Sequence, residues 1–238
     1  MNKKLHFLYF FDTKLRKLFG RIYLFIIKIY CQTRYKIRDK SAEDIFTNIF
    51  NKDLWTSSES KSGLGSTNKN TQIIKMELIK IMSKYNVNSI LDAPCGDMNW
   101  IKGILPHFNE YTGADIVAAL IDQNNRKYGS SNVRFIKCDI INSSLPKVDL
   151  IISKDYFQHL TTNEINSSIK NFIRSGSKYL LATTFPATDK NLDNYTGGYF
   201  PYNLQIPPFN LTKPLSVFST YNHPDHPHMA LWRLDNIL

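Results

Sequence analysis

Between residues 89 and 185 the chain alternates short apolar runs of β type with longer helical ones, and that alternation restricts its fold more than any other feature. The runs 89–93, 111–117, 133–140, 148–153 and 178–185 read as strands; 99–105, 117–128 and 162–175 read as helices. A further helix is expected over 71–85, where Ile74, Leu78, Ile81, Met82 and Tyr85 share a face and Asn86 and Asn88 supply a stop. Thr161 or Thr162 is placed to cap the helix at 162–175, with Glu164 as an acid in its first turn. Strands separated by helices form βαβ units, so the expected fold is α/β, with a doubly wound and mainly parallel sheet. Two last runs, 215–221 and 228–234, suit an antiparallel hairpin at the sheet edge.

The 238 residues, 42% of them hydrophobic, suffice for one globular domain with an appendage. The net charge of +10 is concentrated at one end: residues 1–40 hold eleven Lys and Arg against Asp12 and Asp39, leaving the remainder close to neutral. A nearly neutral body disfavours nucleic acid as substrate, because such interfaces need many cationic contacts to phosphate. Segment 1–40 is apolar as well as basic, but its longest apolar run, 22–27, lies between Arg21 and Lys28 and is too short to span a bilayer. Without a small-residue cleavage site it does not read as a signal peptide either. It is expected to form a basic amphipathic helical extension, broken near Gly20, that contacts an anionic membrane peripherally or packs on its own domain or a second subunit. Cys31, Cys95 and Cys138 form no CxxC pair, which leaves a reducing, cytoplasmic setting as the expectation.

Ligands of open α/β sheets bind outside the carboxyl ends of the strands, which directs attention to SILDAPCGDMNW at 89–100. There a strand ends in Asp92, a turn containing Gly96 permits close backbone approach, and a helix is expected to begin near Asp97. A dinucleotide turn would carry GxGxxG; Pro94 and Met98 flank a single Gly96 here, a poor fit for pyrophosphate. Segment 39–71 reads as a polar loop, and 187–214, crowded with Pro, Asn and Tyr, as a long irregular region of the kind that faces substrate.

With these motifs in order, the chain resembles the class I S-adenosylmethionine-dependent methyltransferases, whose fold is Rossmann-like, and residues 41–238 would form that domain. Asp92, Pro94 and Gly96 then resemble the turn holding the methionine part of the cofactor, and Asp115 with Ile116 the acid and neighbour at the ribose. Asp139 with Ile140 matches the position beside the adenine, although Asp139 suits a turn cap equally well. Lys154 precedes DYFQHL, 155–160, which resembles the motif facing methyl group and substrate. Upstream, Trp55, Ser62 and Gly65, with Gly63 and Ser66, lie in a loop able to fold over the cofactor and offer hydroxyls and amides to its carboxylate, or to remain a plain loop. The flanks LWTSSESKSGLGS, GGYFPYNLQIPPFNL and ALWRL resemble a bacterial and viral group associated with surface-polysaccharide biosynthesis.

Methyl transfer to a hydroxyl is an in-line displacement that needs the acceptor oriented and its proton removed. His159 and Asp155 are the candidates for that base; four residues apart on a helical turn, the carboxylate would orient the ring. The resemblance implies a sugar or glycan acceptor, for which Tyr199, Asn203 and Gln205 supply an aromatic face and amides. A small metabolite, lipid or protein side chain is the alternative acceptor, and a membrane-recruited module without turnover the alternative role. HPDHPH, 223–228, contains metal-ligand residue types, but Pro224 and Pro227 make it a loop between strands and no metal is expected. Trp100 and Trp232 are expected in the core or a lid.

Overall fold

The computed structural model describes residues 40–55, 57–220 and 227–238, and those from Ser41 onward make one compact unit. The helical extension and membrane contact expected at 1–40 fall, but for Lys40, outside the described residues, as do His223 to His226 of HPDHPH.

Strands β1 (Ser89–Asp92), β2 (Glu110–Asp115), β3 (Val133–Lys137), β4 (Leu150–Ser153) and β5 (Tyr179–Thr184) run parallel. With β6 (Ser216–Ser219) and β7 (His228–Arg233) they form a seven-stranded sheet in the order β3-β2-β1-β4-β5-β7-β6. The last two make the expected antiparallel pair, but β7 lies inside it, antiparallel to β5 as well. Burial accounts for that order: Met229 to Trp232 are buried on both faces, whereas Val217 in β6 is 44% exposed, as an edge strand permits. Asp92 pairs in register with Gly113 and Ile152, so β1, β2 and β4 end within two residues of one another and present their following turns to a common space.

Four α-helices accompany the sheet among the described residues: α1 (Ala42–Asn51), α2 (Asn68–Tyr85), α3 (Ala118–Tyr128) and α4 (Thr162–Arg174). Thr161 caps α4 in a reciprocal box with Glu164. Helix α1 corrects the expectation of a continuous loop over 39–71. Ser41 Oγ accepts from Asp44 N at 3.1 Å while the Asp44 carboxylate accepts from Ser41 N at 3.3 Å, a complete capping box. Ile45 and Ile49, one turn apart, bury the inner stripe of the helix.

The helix expected over 99–105, beginning near Asp97, is not formed. Met98 adopts φ +63°, the Asp97 carboxylate accepts from Asn99 N at 3.2 Å as an Asx turn, and only a 3-10 segment follows, Lys102–His107. Between Thr184 and Ser216 the chain is irregular, as expected, and internally laced: Asn191 Nδ2 donates to Asn203 O at 2.8 Å, and Asn203 Nδ2 donates to Thr188 O at 3.1 Å. Trp232 is buried, its indole N–H donating to Thr212 O at 2.8 Å. No helix among the described residues is long and apolar enough to cross a membrane.

Candidate active site

A cleft opens at the carboxyl ends of β1, β2 and β4, where the sheet register brings their turns together. Its floor is the turn after β1. Gly96 has φ +55°, and a Cβ there would stand 2.4 Å from Ser62 Oγ, so neither the backbone nor the space admits a side chain. Asp115 ties this turn to the end of β2, accepting from Gly96 N at 3.1 Å and from Val117 N at 3.0 Å. Burial pushes the Asp115 carboxyl up to about 6 even though these amides favour the anion. Each of its oxygens keeps capacity for a further donor, which suits a diol.

Asp92 stands behind the turn rather than in the cleft. It is fully buried, accepts from Tyr111 Oη at 2.7 Å, and its Oδ1 has no partner. Burial lifts this carboxyl to about 7, against the opposing pull of Tyr111 and Lys154. Asp139 both lines the cleft and caps its own turn, accepting from Ile141 N at 2.9 Å and Asn142 Nδ2 at 2.8 Å. The two readings of Asp139 are compatible.

The upstream loop does fold onto the β1 turn, held there by a residue to which the sequence reading gave no role in the loop. Asp97 accepts from Ser60 Oγ at 2.9 Å, Lys61 N at 2.7 Å and Ser62 Oγ at 3.2 Å, and its own amide donates to Ser62 Oγ at 3.1 Å. The Ser62 hydroxyl expected to serve a cofactor carboxylate is therefore engaged with Asp97. Gly65 lies against the opposite wall: a Cβ there would fall 2.6 Å from Asp155 Oδ2.

His159 and Asp155 both line the cleft, but the carboxylate does not orient the ring. Asp155 is paired with the Lys154 ammonium, which is 4% exposed, and accepts from Gln158 Nε2 at 3.1 Å; its amide donates to Thr183 Oγ1 at 2.8 Å. Burial alone would raise the Asp155 carboxyl, yet Lys154 and Gln158 outweigh it and hold it below the usual carboxylate value. His159 is oriented instead by the carbonyl of Gly198, 2.7 Å from Nδ1. A carbonyl only accepts, so the neutral ring carries its proton on Nδ1 and leaves Nε2 with a lone pair. Burial also keeps the imidazole below its usual pKa, with the Gly198 contact opposing. Trp55 stacks on the ring at 4.3 Å, and Tyr199 tilts against it at 5.9 Å.

Of the expected cofactor residues, Trp55, Ser62, Pro94, Gly96, Asp115, Ile116, Asp139, Ile140 and Lys154 line the cleft. Of the expected substrate residues, Tyr199 is brought to His159, while Asn203 and Gln205 are not at the cleft. The Asn203 side-chain amide binds the loop backbone, and Gln205 is exposed, its backbone N–H donating to Asn203 Oδ1 at 3.0 Å. Sequence reasoning missed Phe46, Ile49 and Phe50 of α1 and the walls Trp100, Leu120 and Tyr156. The signal for α1 was present, in the Ser41–Asp44 box followed by Ile45 and Ile49. No cluster of metal-ligating side chains occurs among the described residues.

Residues 90–176 match the family model described as a methyltransferase domain. No curated protein matches the sequence. Among solved structures, the chain is similar to the N-methyltransferase NodS from Bradyrhizobium japonicum WM9 in complex with S-adenosyl-L-homocysteine, with a TM-score of 0.59 and 13% identity over 78% of this chain and 97% of that one. It is similar also to the magnesium protoporphyrin IX methyltransferase ChlM from Synechocystis PCC 6803 with bound S-adenosylmethionine, at 0.59 and 12% over 82% and 98%. Human N-acetylserotonin methyltransferase in complex with S-adenosylmethionine scores 0.58 at 11% identity, over 82% of this chain and 60% of that one.

Strand order and site define the class of fold, a Rossmann-like α/β domain with its ligand cleft at the strand carboxyl ends, and its segment 90–176 is the part that matches the methyltransferase domain model. Within that class the residues fit S-adenosylmethionine. Asp115 offers oxygens for a ribose, apolar Ile116, Leu120 and Ile140 make a slot for a base, and the Gly96 turn leaves room that a Cβ would fill.

Proposed function

We propose that this chain methylates a hydroxyl group of a sugar or glycan intermediate, with S-adenosylmethionine as the methyl donor. The observation that carries the reading is His159: a neutral imidazole with Nδ1–H fixed on Gly198 and Nε2 unprotonated, on the wall of the cleft that contains Asp115. When bound, the cofactor supplies an electrophilic methyl group on a sulfonium. A hydroxyl is a weak nucleophile, and Nε2 of His159 is suited to accept its proton as the new bond forms. Lys154 keeps Asp155 ionised; the carboxylate favours the transient imidazolium and the ammonium beside it opposes that, so the pair acts on the ring with both signs. Trp55 and Tyr199 supply aromatic faces beside the base, which suit the apolar face of a sugar ring and exclude water from it.

The test is transfer of a labelled methyl group from S-adenosylmethionine by the purified protein to hydroxyl acceptors of glycan and non-glycan type, with amine acceptors alongside. Label on a sugar oxygen is the expected product. Transfer confined to amines, or to non-glycan hydroxyls, would replace the proposed acceptor.

A further inference from the structure

Helix α1 has two contacts that matter for His159. Phe46, Ile49 and Phe50 line the donor cleft, and Ile45 and Ile49 lie beneath the loop that holds the imidazole. The meeting point is Gly197, at φ +80°. A Cβ on it would stand 2.7 Å from Ile45 Cγ2 and 3.3 Å from Ile49 Cδ1, so the loop backbone rests flush on the helix with no slack between them. From there the path to the ring is short: Gly197 N donates to His159 O at 2.8 Å, and the next carbonyl, Gly198 O, receives His159 Nδ1–H. A second path leaves the carboxyl end of the same helix, where Leu54 N donates to Ile49 O at 3.0 Å and the adjacent Trp55 stacks on His159.

We propose that α1 ties occupancy of the donor cleft to the seating and tautomer of His159, with Gly197 as the positioning residue at the joint. The proposal rests on the methyltransferase reading above. A ligand that packs against Phe46 and Ile49 favours the seated helix, the seated helix is the one on which the Gly197–Gly198 backbone fits, and that backbone selects the Nδ1–H tautomer with Nε2 open to an acceptor. Linkage makes the effect reciprocal: unseating the loop weakens donor binding, although Gly197 and Ile45 are not among the residues lining the cleft.

The experiment uses the full chain and S-adenosylhomocysteine as probe, with affinity measured by calorimetry and the His159 tautomer by imidazole 15N shifts. Gly197→Ala forces a methyl group into Ile45, and Ile45→Ala removes the seat. Each single substitution is expected to weaken S-adenosylhomocysteine by at least about fivefold and to move His159 away from the pure Nδ1–H pattern. The double substitution, in which the new methyl occupies the space vacated by Ile45, is expected to recover part of both losses. If Gly197→Ala does not fold, Ile45→Ala alone decides. A folded variant with wild-type affinity and tautomer overturns the coupling. Failure of the wild-type protein to bind S-adenosylhomocysteine overturns the methyltransferase reading itself, and the coupling with it.

Discussion

Nδ1 of His159 donates to the carbonyl of Gly198 at 2.7 Å, a contact between the chain after β4 and a loop thirty-nine residues later. This backbone acceptor, rather than the carboxylate of Asp155, sets which imidazole nitrogen is open to an acceptor.

Replacement of His159 by Gln is expected to lower turnover by roughly 10²–10⁴-fold, the usual range for loss of a general base. Affinity for S-adenosylhomocysteine should also fall, because the link through Gly198 and Trp55 runs in both directions, but by far less than turnover, as calorimetry beside steady-state kinetics would establish. In the wild type, activity should be lost as pH falls, because protonation removes the Nε2 lone pair. Burial lowers the imidazole pKa, so the midpoint of that loss lies below the ordinary histidine value. A profile that rises on acidification would assign the base elsewhere.

Asp155→Asn should separate from His159→Gln in stability. It leaves the Lys154 ammonium, 4% exposed, without its counter-charge. Removing one partner of a buried pair costs about 3–5 kcal/mol, and the value here should lie toward roughly 2 because Asp155 is itself 27% exposed. Thermal unfolding of the two variants side by side measures the difference, and equal melting temperatures would contradict it.

Asp97→Ala removes the acceptor that holds Ser60, Lys61 and Ser62 on the β1 turn. At about 1 kcal/mol for each of these three hydrogen bonds the full loss corresponds to roughly 100-fold, and S-adenosylhomocysteine should bind between about tenfold and that limit more weakly. The amides of residues 60–62 should exchange with solvent faster than in the wild type. Unchanged exchange there would mean that the loop is held by other contacts.

Asp92→Asn should stabilise the protein most at alkaline pH. The Asp92 carboxyl is raised by burial from 3.8 to about 7 in the fold, so the folded state holds a proton that the unfolded chain has released. Its stabilising contribution is complete below about pH 4 and is lost as pH rises through 7. Asn has no such loss, and the gap should widen across that window to at most roughly 4 kcal/mol and then level off. Tyr111 Oη can still donate to the amide oxygen. Denaturant unfolding at pH 5 and pH 8 gives the comparison, and a gap equal at both would place the titration elsewhere.

The parallel strands were legible because buried strands are runs of apolar residues bounded by polar turns, and Ile90–Leu91, Leu150–Ile152 and Leu180–Ala182 are such runs. Asp115 and Asp139 were legible through the motif order of the family the chain resembles, each at or just beyond the end of a strand run, where an open sheet presents ligand groups. Helix α1 carried its own signal, the Ser41–Asp44 cap with Ile45, Phe46, Ile49 and Phe50 at helical spacing, and was masked by the longer Ser-, Asn- and Lys-rich stretch that follows it. The place of β7 between β5 and β6 was also out of reach, since two adjacent β-type runs fix that they pair and leave open which of them joins the sheet.

Asn203 and Gln205 illustrate the remaining difficulty. Their residue types suit a carbohydrate, yet an amide in a long irregular loop is in equal demand for the loop's own backbone, and Asn203 serves that need. By itself, then, the order of residues determined the α/β class and a cleft at the strand ends, because these follow from local periodicity and from where each run stops; the acids came from the family resemblance, and of them Asp92 lies behind the cleft. Only the tertiary structure decided that Asp97 holds the upstream loop, that Lys154 claims Asp155, and that a glycine carbonyl from a distant loop orients His159. Those are choices among partners far apart in sequence, settled by which donors and acceptors the packed fold brings within about 3 Å.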